Sequence, residues 1–455
     1  MKRVKTILSE EDKNFIWGSY NKLQSSEFEK RIHDDDGISS PKDRPEYSRD
    51  YARILYSSSF RRLQGKMQIL GVESTAFYRN RLTHSLEVAQ IAKSIARVLS
   101  RTCGVEKGKR KWMYQDQELC LLEAAALAHD IGHPAFGHKG EDVLDEIAKE
   151  YDLRFEGNAQ NYRVVNLLDR HGSSCQGLNL TYRTLLAINK YIVNENAGVK
   201  KFMFVDDYEM LLEFRKANGI EKERTLDVQI IELADDIAYT VHDLEDALSL
   251  NLCTISDILF ELEKDNENAY DLFVKIIKAT YKDMGCSCEI GNIQENSHLF
   301  RKTLISILTN SFVRKLSVQI VSKDDCIKYG ISENTKELTL ETNYKLLCKY
   351  LKKIIFECAI TKSDIALYEA KGEIVIKNLF NIYSNEKVNK KYNLLPPDYR
   401  PKTVEEAPRK VIDYIAGMMD TFAISEFERL TGKDFNTIDI SDIPTIYVSQ
   451  TQNKQ

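Results

Sequence analysis

The stretch Leu119-Cys-Leu-Leu-Glu-Ala-Ala-Ala-Leu-Ala-His129-Asp130-Ile-Gly132-His133-Pro134 decides how the chain is read. From Leu119 to Ile131 it is short and apolar almost all round, which describes a helix buried at the centre of a protein. Gly132, with Pro134 just beyond, ends it. The polar pair His129 and Asp130 sits at this end, about 100° apart around the helix axis, so both side chains can converge on one ion. A buried imidazole is costly without a partner and is therefore hydrogen-bonded or ligating.

Working outward, the same helical spacing recurs. Leu82, Leu86, Ala89, Ile95, Ala96 and Leu99 mark a helix over 82–99. Ile230, Leu233, Ile237, Val241, Leu244 and Leu248 mark another over 226–250, and residues 255–285 and 299–320 read the same way. No proline lies between Pro134 and Pro396, which favours an all-α body with at most a small β element. Strand-like runs are few: Lys371–Lys377 and Lys200–Val205. Residues 24–50 read as a polar surface loop, and 395–401, with three prolines, as a linker. A last helix starts near Ala407 with Pro408 in its first turn, and the tail after Asp442 reads as frayed. The expected division is an N-terminal segment and loop (1–50), a catalytic core (51–255), a helical accessory region (256–395), and a C-terminal helix and tail packed on the core (396–455).

Composition excludes several classes. At 455 residues, with 43% apolar and 29% charged residues, the chain can bury a large core. A net charge of -5 gives no global attraction to nucleic acid, and Lys107-Gly108-Lys109-Arg110-Lys111 reads as a solvated loop. Nine scattered cysteines form no disulfide framework, and Cys286-Ser-Cys288 is too isolated for a zinc site. No apolar run is long enough to span a membrane and no secretory leader opens the chain, so a cytoplasmic protein is expected.

A His-Asp pair is by itself a common dipeptide. Here, however, four of the eight histidines, His84, His129, His133 and His138, fall between positions 84 and 138. With Asp235 downstream, two imidazoles and two carboxylates stand on helix-patterned segments: His84, His129, Asp130 and Asp235. These are the ligand types of a hydrolytic divalent metal, with positions left for water and substrate. The set suits Mg, Mn, Fe, Co, Ni or Zn and does not choose among them. Arg81 lies one helical turn before His84, where a guanidinium suits phosphate. His133, His138 and Glu141 follow in a Gly- and Pro-containing stretch that reads as an irregular loop, and a histidine held there by a glutamate can move protons near neutral pH. Asp235, Tyr239 and Asp243 make one polar stripe at i, i+4, i+8, suited to a cavity that holds sugar hydroxyls.

Taken together these stretches resemble the HD superfamily of metal phosphohydrolases, and within it the deoxyguanosine triphosphate triphosphohydrolases. The matching segments are Arg53–Gln68, Arg81–Ala89, His129–Glu141, Phe155–Gln160, Leu178–Arg183, Leu233–Asp246 and Asp413–Asp420. The resemblance runs from about residue 44 to about 432. It implies a helical fold and hydrolysis of a dNTP, dGTP foremost, to deoxynucleoside and tripolyphosphate. It also implies His84, His129, Asp130 and Asp235, rather than Asp236, as metal ligands. His138 and Glu141 would serve the hydrolytic step. Tyr239 and Asp243 would read the deoxyribose, with Gln68 near the sugar. Arg81, Asn158 and Lys190 would contact phosphate. A homo-oligomer, often a hexamer, and a nucleotide or single-stranded DNA effector are further implications. His133 and Ala135 depart from the commonest pattern of the loop, and residues 255–395 align poorly, so the chemistry is better specified than the base. The alternatives are another HD nucleotide phosphohydrolase, such as a 5′-nucleotidase or a guanosine-polyphosphate hydrolase, and a silent nucleotide-binding regulator.

Overall fold

Helices account for nearly all the regular structure, in line with the all-α body that the absence of proline from 135 to 395 favours. The structure, a computed structural model, describes residues 8–33, 44–67, 79–106, 109–110, 112–171, 176–286, 297–360, 363–441 and 443–446. Along the chain come α1 (Glu10–Lys22), α2 (Glu46–Leu55), α3 (Ser58–Arg62) and α4 (Arg81–Cys103), then the short strands β1 (Val105–Glu106) and β2 (Lys109–Arg110). Next are α5 (Asp116–Ala128), α6 (Gly137–Lys149), α7 (Gly157–Arg163), α8 (Tyr182–Ala187), α9 (Val205–Ala217) and α10 (Leu226–Ser249). An accessory set follows: α11 (Ile255–Asp265), α12 (Glu267–Asp283), α13 (His298–Arg314), β3 (Leu316–Ile320), α14 (Lys323–Tyr329), β4 (Lys336–Leu340) and α15 (Thr342–Ile360). The chain closes with α16 (Ser363–Ser384), α17 (Ala407–Ala416) and α18 (Asp420–Thr431).

The centre is built from α4, α5 and α10. α5 is sealed by α2, α4, α8 and α10, which is why its sequence is apolar all round. α10 packs on α4 and α8 on one side and on α13, α15 and β4 on the other. Local signals fix where these helices begin. Asn80 and Thr83 exchange side-chain and backbone hydrogen bonds at the start of α4, and the Thr225 hydroxyl accepts from Val228 N at the start of α10. A second apolar core joins α6 to α16, α17 and α18. Strands β3 and β4 pair antiparallel, Leu316 opposite Leu340. Among the described residues no helix is long and apolar enough to cross a membrane.

Several local expectations are corrected. Lys371–Lys377 is not a strand but the middle of α16, where the consecutive Ile374, Val375 and Ile376 are all buried between α6, α17 and α18. A β-branched run also fits a helix enclosed on every side, and packing overrides propensity here. Lys200–Val205 makes only an isolated bridge, Asn194 with Met203. The helix expected over 299–320 stops at Arg314 and gives way to β3, while 255–285 is two helices. The polar stretch 24–50 contains a short 3-10 turn and the start of α2, though 34–43 lie outside the described residues. Of the basic 107–111 stretch, Lys109 and Arg110 form β2, which pairs antiparallel with β1, and 107, 108 and 111 lie outside the described residues. Two helices, not one, follow Ala407. Of the tail, 442 and 447–455 lie outside the described residues.

Candidate metal centre and active site

Three helices deliver three side chains to one point. His84 comes from the first turn of α4, His129 from the C-terminal cap of α5, and Asp235 from the middle of α10. Their candidate ligand atoms all lie within 4.8 Å of one another. His84 Nε2 is 2.9 Å from Asp235 Oδ1, and His129 Nε2 is 3.6 Å from the same oxygen. His129 Nδ1 donates to Ala126 O at 2.6 Å, which fixes the tautomer and turns a bare Nε2 towards the cluster. That buried Nε2 makes no hydrogen bond among the described residues. An orphaned imidazole nitrogen beside a carboxylate and a second imidazole, at the negative end of a helix, is the donor chemistry that a divalent cation completes. Without such a cation, burial works against the protonated His129 ring, but Asp130 and Asp235 outweigh it and lift its pKa to about 9. Burial also opposes ionisation of Asp235, yet the two histidines hold it well below the usual carboxylate range.

Asp130 stands beside this triad rather than in it. Arg81 Nη1 donates to Asp130 Oδ2 at 2.6 Å, while Oδ1 lies 3.3 Å from His133 Nδ1 and 3.6 Å from His129 Nε2. Asp236 faces the other way and pairs with Lys352 on α15 at 2.6 Å.

The loop after Asp130 is held tightly. A Cβ on Gly132 would stand 2.3 Å from Asn161 N, so only glycine lets α7 approach the dipeptide. His133 is buried, and burial together with Arg81 depresses its pKa to about 3 despite Asp130, so it is neutral at physiological pH. His138 and Glu141 are not in an irregular loop as expected. They occupy the first turn of α6, with His138 Nδ1 3.6 Å from Glu141 Oε2. His138 is three-quarters exposed towards the opening, and Glu141 is buried. Glu141 is held below the usual carboxylate range despite burial, by His138 and the Lys201 ammonium beside it.

A cavity of about 230 Å³ gathers Arg81, His84, His129, Asp130, His133, His138, Asn158, Lys190, Asp235 and Tyr239. Asn158 is oriented by Glu156 at 2.8 Å. Tyr239 lines the wall, but Asp243 lies one turn beyond, buried, with Oδ2 unpartnered among the described residues. Gln68 lies outside the described residues. Sequence reasoning missed Lys201, which lines the cavity and bridges Glu141 at 2.8 Å and Glu156 at 2.7 Å. It also gave no role to Lys66 and Asp420. Buried Lys66 donates to His133 O and to Ala416 O, and Asp420 accepts from Met67 N and Phe136 N, so the C-terminal helices grip the loop from behind. Burial lowers the Lys66 pKa to about 7.

A helical core that brings His, His-Asp and Asp together beside a cationic cavity defines an HD-domain phosphohydrolase. The HD domain model matches residues 81–240, and a phosphohydrolase-associated domain model matches 338–429. The chain is 40% identical over 411 residues to deoxyguanosinetriphosphate triphosphohydrolase-like protein 2 of Vibrio cholerae, covering 90% of this chain and 94% of that one. It is 32% identical to a deoxyguanosinetriphosphate triphosphohydrolase-like protein of Shewanella baltica, over 90% of this chain and 97% of that one. A relative of the same description from Shewanella sediminis is 33% identical over 84% of this chain and 90% of its own. The chain belongs to the deoxyguanosinetriphosphate triphosphohydrolase family of HD-domain proteins.

Proposed function

We propose that the protein hydrolyses dGTP, and with it other dNTPs, to the deoxynucleoside and tripolyphosphate. The observation that carries this reading is the convergence on one cavity of the His84–His129–Asp235 cluster, three cationic side chains and His138, with Glu141 behind it. His84, His129 and Asp235, with Asp130 beside them, would hold a divalent metal. Such an ion supplies Lewis acidity and positive charge at the α-phosphate.

The remaining work falls to the chain. Arg81, Lys190 and Lys201 neutralise and orient the triphosphate. Water adds to the α-phosphorus, and the bond from phosphorus to the 5′-oxygen breaks. That oxygen needs a proton. His138, whose Nδ1 faces Glu141, presents Nε2 for the transfer. Tyr239 closes the space that a 2′-hydroxyl would need, and Asp243 accepts from the 3′-hydroxyl.

The test is separation of products from a panel of dNTPs and NTPs with Mg, Mn, Fe, Co, Ni and Zn. Tripolyphosphate and deoxynucleoside, with dGTP preferred over GTP by at least about tenfold in kcat/KM, are the expected outcome. Orthophosphate or pyrophosphate would overturn the reading.

A further inference from the structure

One carboxylate on α10 faces both the active-site cavity and the accessory region. Glu232 lines the 230 Å³ cavity and also a second one of about 290 Å³ beneath the β3–β4 hairpin. Three groups converge on it. Lys190 Nζ lies 3.4 Å from Oε1, Tyr329 OH donates to Oε1 at 2.7 Å, and Arg224 donates to Oε2. Arg224 also pairs with Glu337 on β4 and lies 3.7 Å above the Tyr329 ring. Despite burial, the Arg224 and Lys190 charges lower the Glu232 pKa to about 2, which favours the charged carboxylate.

Tyr329 is also the point where the hairpin docks on the cavity wall. Its ring stacks on Tyr191, which lines the active-site cavity, with centroids 5.8 Å apart. Its carbonyl accepts from Ile192 N at 2.8 Å. The next residue, Gly330, has φ +69°, and a Cβ there would stand 2.2 Å from Ile192 O, so the close approach requires glycine. Tyr329 itself does not line the active-site cavity.

We propose that Glu232 is a positioning residue that fixes the Lys190 ammonium in the active-site cavity, and that the β3–α14–β4 hairpin sets that position through Tyr329. The inference rests on the proposed role of Lys190 as a phosphate contact. A lysine has three donors on a flexible four-carbon stem, so an unanchored ammonium samples many positions. Glu232 removes that freedom before substrate arrives. Its own orientation is set in turn by its two other donors, Tyr329 on the same oxygen as Lys190 and Arg224 on the second oxygen. Substrate capture thereby comes under the control of a segment that makes no contact with the cavity through Tyr329.

The test is a double-mutant cycle. Tyr329→Phe keeps the stacked ring and removes only the hydroxyl. Measured with the nucleoside triphosphate turned over fastest, it should raise KM about fivefold and leave kcat within about twofold, with metal content and melting temperature unchanged. In a Lys190→Met background the same substitution should do nothing. A merely structural effect of Tyr329 would persist in both backgrounds, and that result overturns the proposal. So does an unchanged KM for Tyr329→Phe when Lys190→Met alone raises it. Glu232→Gln in the same cycle should show the same coupling to Lys190, and independence of the two overturns the proposal even if Tyr329→Phe folds poorly. If Lys190→Met leaves KM untouched for every nucleotide, the phosphate role of Lys190 fails first and the inference falls with it. That outcome is distinct from the failure of the Tyr329 arm alone.

Discussion

Two buried polar clusters lie along α5 and α10, one at the N-terminal ends of both helices and one where the C-terminal end of α5 meets the middle of α10, and the two differ in how fully they are satisfied. At the N-terminal end, Arg183 of α8 sits between Glu118 and Asp227, at 3.2 Å and 2.8 Å. Tyr114 OH donates to Asp227 at 2.8 Å and Tyr20 OH to Glu118 at 3.0 Å. This cluster lines a cavity of about 870 Å³, much larger than the one at the histidines. Size alone would place the active site there. At the other end, His129 Nε2, Glu141 Oε2, Asp243 Oδ2 and Arg81 Nε are buried without hydrogen-bond partners among the described residues. Unmet donors and acceptors cost stability, and a metal ion or ligand in the cavity would meet these. The closed cluster joins α5, α8 and α10, and the open one leaves polar atoms for the chemistry proposed above.

The largest effect should come from the open end. Asp235→Ala should remove bound metal and lower turnover by at least about a thousandfold, since metal catalysis is worth several kcal/mol. Metal analysis beside a turnover assay checks it. Asp236→Ala, which breaks only the pair with Lys352, should keep its metal. A variant at 235 that retains both metal and turnover would break the comparison at its root.

His138→Ala comes next. It should lower kcat by roughly 10²–10⁴-fold with metal content intact, the range for a general acid or base. A rise in KM with kcat preserved would make His138 a binding group instead.

The closed end should respond in the opposite sense. Asp227→Ala leaves Arg183 buried with half its partners, and breaking a buried pair costs about 3–5 kcal/mol. Denaturant midpoints should fall accordingly, while turnover per folded molecule and metal content stay near wild type. Loss of turnover at unchanged stability would show that the N-terminal cluster also serves the chemistry.

What was legible in the sequence follows the same division. The buried helix, its His129-Asp130 end and the stripe on α10 are local patterns, so periodicity found them. The choice of Asp235 over Asp236 rests on a resemblance, and the two side chains leave α10 in different directions, Asp235 towards His84 and Asp236 towards Lys352. Lys201, Lys66 and Asp420 were not legible. Each acts through partners far away in sequence, Lys201 on Glu141 and Glu156, Lys66 on Ala416, Asp420 on Phe136, and no spacing rule links such positions. The Ile-Val-Ile run of α16 has strand composition, and only packing against α6, α17 and α18 reveals the helix.

The smallest effect sharpens the comparison at Asp243, the carboxylate deepest in the open end. Burial raises its pKa well above the usual value, and the neighbouring Asp246, Asp235 and Glu87 charges add to this, while Arg79 opposes it. Arg79 is itself already engaged with Glu87, Glu245 and Asp246, so it cannot fully compensate. The folded pKa thus lies above the unfolded value of about 3.9. The stability this group contributes is complete below that unfolded value and is lost as pH rises through the folded one. Asp243→Asn carries no such titration and preserves the shape of the protonated acid. In metal-free protein without nucleotide, wild type and variant should melt together near pH 4 and diverge as pH rises, with the variant roughly 2 °C more stable at pH 8. Thermal melts across pH 4–9 measure the difference. A difference that stays flat across that range would mean that Asp243 is already compensated like Asp227, and the open end would be smaller than the unpaired atoms suggest.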